Sequence, residues 1–142
     1  MRWEQMGFTI TDSKENIDLD FIIESLQSTY WGEGRPSELI VKSIDNSVLL
    51  SVFDKGKQIG FARIVSDYSI FAWLCDVYIS RDYRGRGLGK FLMACVTDHP
   101  ATNVRMNLLA TKDAHGLYEQ YGFERREMMF KKADYEGLLI EK

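Results

Sequence analysis

The sequence predicts an α+β fold, in which a mixed sheet of about six strands carries helices on both faces. Three observations predict it. Two amphipathic helices follow a short first strand, and three consecutive strands joined by turns come next. A glycine-rich turn then opens an alternation of helix and strand. The predicted order is β-α-α-β-β-β-α-β-α-β, and a chain of 142 residues fits one domain, 1–142.

The first third of the chain predicts a strand, two helices and the loop between them. Residues 7–11 suit a strand, and Asp18 is a good N-cap for a helix over 19–29. Apolar residues recur in this helix at i, i+3, i+4 and i+7, namely Leu19, Ile22, Ile23 and Leu26. Two glycines indicate a loop over 30–35, and a second helix over 37–45 follows a proline.

The middle of the chain has the period of strands. Apolar residues alternate over 48–52, a glycine-containing turn lies at 54–57, and 58–66 make the partner strand of a hairpin. The next strand, over 70–79, is nearly all apolar or aromatic, which is typical of a central strand buried on both faces.

The last third predicts a helix, a strand, a helix and a strand. A helix over 87–98 follows the glycine-rich turn, and residues 104–110 suit a short strand. Another helix is predicted over 113–121, with Gly122 ending it as a C′ glycine. A final strand is predicted over 123–131.

Composition narrows the possible partners. The formal net charge of −3 disfavours a nucleic-acid binder, which would usually present a basic face. No signal peptide and no apolar run of membrane-spanning length is visible, so we expect a soluble, cytoplasmic protein without a membrane partner. The two cysteines, Cys75 and Cys95, lie in apolar runs and are expected to be buried thiols.

The segment with the clearest chemistry joins the central strand to the next helix. It reads Arg84-Gly85-Arg86-Gly87-Leu88-Gly89, with Lys90 following. Glycines allow a tight turn and a close approach of the backbone to a ligand, and the helix start offers unpaired N–H groups to an anion. A pyrophosphate would suit this place. The segment alone is also compatible with a tight turn carrying solvated arginines, or with a nucleotide site, although no Gly-Lys-Ser/Thr is present.

Two motifs together resemble the GNAT superfamily of N-acetyltransferases. The first is Arg/Gln-x-x-Gly-x-Gly/Ala, which is matched by Arg84, Gly87 and Gly89. The second is Ala-x-x-Leu-Tyr-x-x-x-Gly-Phe, which is matched by Ala114, Leu117, Tyr118, Gly122 and Phe123. The order of elements is similar over nearly the whole chain.

The resemblance implies acetyl-CoA as acyl donor, with no metal. In such proteins the strand before the glycine loop bulges and separates from its neighbour, and the pantetheine arm pairs with it. The residues implied as cofactor-binding are Val77, Tyr78, Ile79, Arg84, Gly85, Arg86, Gly87, Leu88, Gly89, Lys90, Thr111, Asp113 and Ala114. Thr111 departs from the family, which often has Asn there, and still offers a hydroxyl that can cap a helix.

The resemblance also implies Tyr118 as the general acid that protonates the departing CoA thiolate; without the motif it would read as a core aromatic. Asp76, inside an apolar strand, is the best carboxylate candidate for the general base. It could instead form a structural ion pair, for example with Arg63, or contact the substrate directly. Many such enzymes use chains of water molecules as the base.

The loop between the first two helices contains the expected acceptor residues, Tyr30, Trp31 and Glu33. Trp31 could make a cation–π contact with an amine and Glu33 could pair with it, although the aromatic residues could also simply plug the sheet edge. The sequence therefore predicts an acetyl-CoA-dependent transfer to a primary amine, on a small molecule or a lysine. The alternative is a non-catalytic acyl-CoA sensor of the same fold. A homodimer is possible, and the acceptor is open.

Overall fold

The chain forms a six-stranded sheet with helices on both faces, and the computed structural model describes residues 1–139. The strands are β1 (Arg2–Gln5), β2 (Phe8–Thr11), β3 (Val48–Asp54), β4 (Lys57–Ser66), β5 (Phe71–Ile79) and β6 (Met106–Leu109). The helices are α1 (Leu19–Ser28), α2 (Ser37–Asp45), α3 (Leu88–Asp98), α4 (His115–Glu119) and α5 (Tyr135–Leu138). Short 3₁₀ turns lie at Arg81–Tyr83 and Pro100–Thr102. The predicted fold class is confirmed.

The strands lie side by side in chain order, from β1 to β6. Neighbours are antiparallel from β1 to β5, and only β5 and β6 run parallel, which makes the sheet mixed. The parallel pair needs a crossover connection, and α3 supplies it.

Each face of the sheet is covered by different helices. On one face α1 and α2 contribute Ile22, Leu26, Ile40 and Ile44, which form one buried cluster with Leu49 of β3 and Phe61 of β4. On the other face α3 contributes Leu88, Leu92 and Val96, which cluster with Leu50, Val52 and Ile64. The strand alternation that predicted these elements therefore divides the core between the two faces. The predicted N-cap of α1 is also confirmed, because the Asp18 carboxylate accepts from the Phe21 N–H at 3.0 Å.

The prediction of a final strand over 123–131 is wrong. That segment has no strand structure, and its charged run from Glu124 to Glu127 is exposed. The sixth strand is instead β1, which pairs with β2 through a turn at Met6 and Gly7, both with positive φ. The sequence did not predict β1, because its mostly polar residues lack the apolar alternation that is typical of a strand. Helix α5 was also not predicted, and α4 is shorter than the predicted 113–121.

An irregularity in β5 opens the sheet at its parallel edge. Arg63 pairs with Asp76 and Ile64 pairs with Leu74, so Cys75 is an extra residue in β5 and forms a β-bulge. The pairing of β5 with β6 covers only Phe71 to Leu74. Beyond that point β6 has ended at Leu109, and the second half of β5 keeps only β4 as its neighbour in the described sheet.

Candidate active site

A cleft of about 1200 Å³ opens where β6 ends and β5 continues. It brings together most of the predicted site residues from four parts of the chain. Those that line it are Tyr30, Trp31, Asp76, Val77, Tyr78, Ile79, Arg84, Gly85, Gly87, Leu88, Gly89, Thr111, Asp113, Ala114 and Tyr118. Three predicted residues, Glu33, Arg86 and Lys90, are not among its lining.

One wall of the cleft is the second half of β5. Val77, Tyr78 and Ile79 pair with β4 through one edge of their backbone. Their other edge faces the gap, because β6 stops pairing at Leu74. Backbone N–H and C=O groups at such an edge can pair with an extended ligand. This is the part of the site that suits an amide-containing chain.

The glycine-rich loop shapes the floor of the cleft. Gly85 and Gly87 have φ of 78° and 82°, in the left-handed region that favours glycine, and Gly87 is the N-cap of α3. The first hydrogen bond within α3 runs from the Phe91 N–H to the Gly87 carbonyl, so the N–H groups over 88–90 precede it. No acidic residue lies in this first turn. The loop therefore presents unpaired amides and the positive end of a helix dipole to an anion.

The basic residues of the loop are placed differently from one another. Arg84 donates from Nε to the Ile79 carbonyl at 2.8 Å, and its guanidinium lies 5.4 Å from the centre of the Tyr78 ring. Arg86 lies over the Tyr83 ring, and the Lys90 carbonyl accepts from the Tyr121 hydroxyl at 3.1 Å. Of the three, only Arg84 lines the cleft. Arg86 and Lys90 are not among the residues that line the cleft, so their expected place around the ligand stays a prediction.

On the opposite wall, Thr111 holds the turn that leads into α4. Its hydroxyl accepts from the Ala114 N–H at 3.0 Å, and because Ala114 is itself the N-cap of α4, this bond closes the turn before the helix and does not cap it. Asp113 and Ala114 follow at the rim. This bond orients the turn that brings Tyr118 to the cleft.

Tyr118 is half-buried in the cleft wall and packs edge-on against Phe123, with ring centres 6.1 Å apart. Burial raises the pKa of its phenol above 10.0, and the nearby Tyr30 and Asp113 raise it further. The hydroxyl therefore stays protonated at neutral pH. That is the state a proton donor requires.

Asp76 is 1% exposed and sits at the centre of a hydrogen-bond cluster. Its Oδ1 accepts from Trp31 Nε1 at 3.1 Å and from Arg35 Nη1 at 3.2 Å. Its Oδ2 accepts from Arg35 Nη1 at 3.1 Å and from Arg63 Nε at 2.8 Å. A carboxylate offers about four lone-pair sites, and these four contacts occupy them. The geometry favours the ion-pair interpretation over the general base, because no site is left for a substrate proton.

The loop between α1 and α2 reaches the cleft through its aromatic residues. Tyr30 and Trp31 pack edge-on with ring centres 5.1 Å apart, and Lys112 Nζ lies 5.3 Å from the centre of the Tyr30 ring. Trp31 is held by Asp76 and remains 38% exposed. Glu33 is exposed and does not line the cleft, so its expected pairing with a substrate amine is not supported.

Cleft residues that were not predicted include Arg35, Lys112 and Cys75. Arg35 and Lys112 lie in loops, where no periodic pattern marks a functional side chain. Cys75 was expected to be a buried thiol, and it is only partly buried at the bulge. Burial raises the pKa of its thiol, and the Asp76 charge raises it further against the opposing effect of Arg63.

Comparison with known proteins places this six-stranded mixed sheet and its cleft in a class, the acyltransferases. The chain belongs to the GNAT acetyltransferase family, because the family model described as "Acetyltransferase (GNAT) domain" matches residues 45–125, more than half of the chain. The uncharacterized N-acetyltransferase ycf52 of Pyropia yezoensis is 30% identical over 118 residues, covering 78% of this chain and 67% of the relative.

Two further similarities agree with this family. The ycf52 protein of Gracilaria tenuistipitata var. liui is 48% identical over 65 residues, which cover 42% of this chain and 36% of that protein. The chain thus spans 36% to 67% of the length of these two relatives. A crystal structure from Xanthomonas campestris pv. campestris, assigned to the GNAT family, has a TM-score of 0.84 and 36% identity. The structural match covers 89% of this chain and 93% of the Xanthomonas chain.

Two features are absent from residues 1–139. Within this range, no helix is both long and apolar enough to cross a membrane. Over the same residues, no group of three or more His, Cys, Asp or Glu side chains could hold a metal ion.

Proposed function

We propose that the chain is an acetyl-CoA-dependent N-acetyltransferase that moves the acetyl group directly to a primary amine. The observation that carries the proposal is one continuous cleft shared by a free strand edge, a glycine-bounded helix start and Tyr118. These three features match the three parts of the donor: an amide-containing arm, a pyrophosphate and a thioester.

The residues present fit acetyl-CoA. The free edge over 77–79 offers backbone groups to the amides of the pantetheine arm, and the N–H groups over 88–90 offer donors to its pyrophosphate. A Cβ built on Gly89 meets nothing within 4 Å, so open space lies beside the start of α3. Arg84 adds a positive charge at the same wall. When bound, acetyl-CoA supplies an activated acyl group as a thioester.

In the proposed reaction, the neutral amine attacks the thioester carbonyl carbon, a C–N bond forms and the C–S bond breaks. The Tyr118 hydroxyl gives its proton to the departing sulfur, and the one proton lost by the amine nitrogen is passed through solvent to the Tyr118 phenolate, which restores the phenol. The raised pKa of Tyr118 keeps the proton available at neutral pH. A catalytic tyrosine favours an enzyme over a non-catalytic acyl-CoA sensor.

Two further residues of the cleft support direct transfer. Cys75 is the nucleophile nearest the bulge, but its raised pKa keeps it a thiol, which is a poor acceptor for an acetyl group. Asp76 holds Trp31 and Arg35 and has its acceptor sites filled, so we assign it a positioning role.

The proposal is tested by incubating the protein with acetyl-CoA and a panel of primary amines. We expect thiol release that depends on both the amine and the protein, with mass spectrometry showing one acetyl group added to the amine. Acetyl-CoA binding without thiol release across a broad panel that includes amino acids, polyamines and lysine peptides would favour the sensor.

A further inference from the structure

We infer that the acceptor amine carries a carboxylate, which Arg35 and Arg63 bind at the acceptor end of the cleft. This end is defined by Tyr30, Trp31, Arg35, Arg63 and Asp76. The inference rests on the proposed function and adds the substrate class. It differs from the sequence-based expectation, in which Trp31 and Glu33 would contact a cationic amine.

The first argument is the charge at this place. Two guanidinium groups flank one carboxylate, so Arg35, Arg63 and Asp76 together carry one formal positive charge. Their side chains are 18%, 15% and 2% exposed. Positive charge that is partly withdrawn from water lies beside apolar and aromatic walls, where it attracts an anion more strongly than in solvent.

The second argument is the number of donors that remain. A guanidinium group has five N–H donors. Arg63 uses Nε on Asp76 and Nη1 on the Ser47 hydroxyl, which leaves Nη2 without a partner within residues 1–139. Arg35 uses Nη1 on Asp76 and Nη2 on the Trp31 carbonyl at 3.4 Å, which leaves Nε. Both arginines line the cleft, and each keeps an N–H donor that a ligand carboxylate could use.

The third argument is that the donors are pre-positioned. Asp76 fixes both guanidinium groups, and it also fixes Trp31, so the cluster holds its shape without a ligand. Lys112, over the Tyr30 ring, adds a further cation to the cleft lining, while Asp113 adds an anion at the rim near Tyr118. An amine whose carboxylate sits on the arginines would therefore direct its ammonium end toward the side where carboxylate and phenol lie.

The test compares matched pairs of acceptors that differ by one carboxylate: tyrosine with tyramine, histidine with histamine, and arginine with agmatine. The rate of thiol release from acetyl-CoA gives kcat/KM for each member, and the ratio within a pair cancels any loss of folded protein. We expect the wild type to favour the carboxylate-bearing member by about tenfold or more in at least one pair, chiefly through KM. In Arg35→Gln we expect that ratio to fall toward one, with Arg35→Lys intermediate because the charge remains.

Arg2→Gln is the matched control, because Arg2 pairs with Glu4 on the exposed surface far from the cleft lining. It should keep the wild-type ratio. Equal or higher kcat/KM for the decarboxylated member of every pair would overturn the inference and leave the proposed function intact. A preference that survives in Arg35→Gln at full size would also overturn it. Thiol release with no amine at all would contradict the proposed function, and the inference with it.

Discussion

Trp31 donates a hydrogen bond from Nε1 to Oδ1 of Asp76 at 3.1 Å, although the two residues are 45 positions apart. The bond ties the loop between α1 and α2 to β5, one residue before the free edge at Val77. The proposed acceptor residues and the proposed donor site are therefore coupled through one buried carboxylate.

Replacing Asp76 with Ala should destabilise the fold. Arg35 and Arg63 would lose their shared partner, and removing one member of a buried ion pair costs about 3–5 kcal/mol. We expect about 3 kcal/mol, because both arginines keep some contact with solvent. Urea unfolding measures the change. Glu4→Ala removes the carboxylate of the exposed Arg2–Glu4 pair and should cost less than about 1 kcal/mol. Equal effects of the two substitutions would refute the anchoring role.

Replacing Tyr118 with Phe should lower kcat by about 10²–10⁴-fold while acetyl-CoA affinity is kept. The ring retains its packing on Phe123, and only the proton donor is lost. Tyr121→Phe is the control: it loses the bond to the Lys90 carbonyl, so it should affect stability slightly and kcat little. In the wild type, kcat should fall as the pH rises through the Tyr118 pKa, above 10.0. An unchanged kcat in Tyr118→Phe would mean that Tyr118 is a packing residue and not the proton donor.

Replacing Cys75 with Ala should leave most of the transferase activity. Its raised pKa makes the thiolate scarce at neutral pH, and direct transfer does not need it. Incubation of the wild type with acetyl-CoA alone should give no acetylated protein in an intact-mass measurement. Cys95→Ala, within the core of α3, should instead lower the melting temperature. An acetyl group retained on Cys75, with activity lost in Cys75→Ala, would argue for a covalent intermediate.

The stability of the fold should weaken in acid partly through Asp12. Burial opposes the shift, but hydrogen bonds from the N-terminal ammonium and from His99, and their charges, hold the pKa of Asp12 below its ordinary 3.8. A carboxylate whose folded pKa is depressed adds stability above its unfolded pKa and loses it as the pH falls through the folded value. We therefore expect the melting temperature of Asp12→Asn to depend less on pH below about 4 than that of the wild type. Parallel curves for the two proteins would contradict this.

The elements with strong local signals could be predicted from the sequence. The Asp18 cap, the apolar stripe over 19–26 and the glycines before α3 each specify their own conformation within a few residues. β1 could not be predicted, because a polar edge strand is stabilised by its partner and not by its own pattern. The wrongly predicted strand over 123–131 is the opposite case. Its residues, such as Phe130, favour a strand by type, but they do not pair with β6 and form no strand.

The candidate site likewise has one part with local sequence signals and one part without them. The residues of the proposed donor side could be named from the sequence because the glycines and Tyr118 lie in two short motifs. The proposed acceptor side depends on contacts between residues distant in the chain, such as Arg35 with Asp76, and no spacing in the sequence indicates them. The same reason explains why Arg63 alone was named as a possible partner of Asp76: Trp31 and Arg35 reach the carboxylate only once the α1–α2 loop is folded onto β5.

The most direct test of the central claim is calorimetric titration of acetyl-CoA into the wild type and two glycine variants. Gly89 lies in the first turn of α3 and lines the cleft, and a Cβ there meets no atom within 4 Å, so Gly89→Val should fold normally. Gly116→Val is the matched control. Gly116 is also a helical glycine whose added Cβ meets no atom within 4 Å, but it does not line the cleft. We predict that Gly89→Val weakens acetyl-CoA binding by more than about tenfold, because bulk blocks the amides from the pyrophosphate, while Gly116→Val binds like the wild type. Equal affinity of all three proteins would contradict the assignment of this cleft as the acetyl-CoA site.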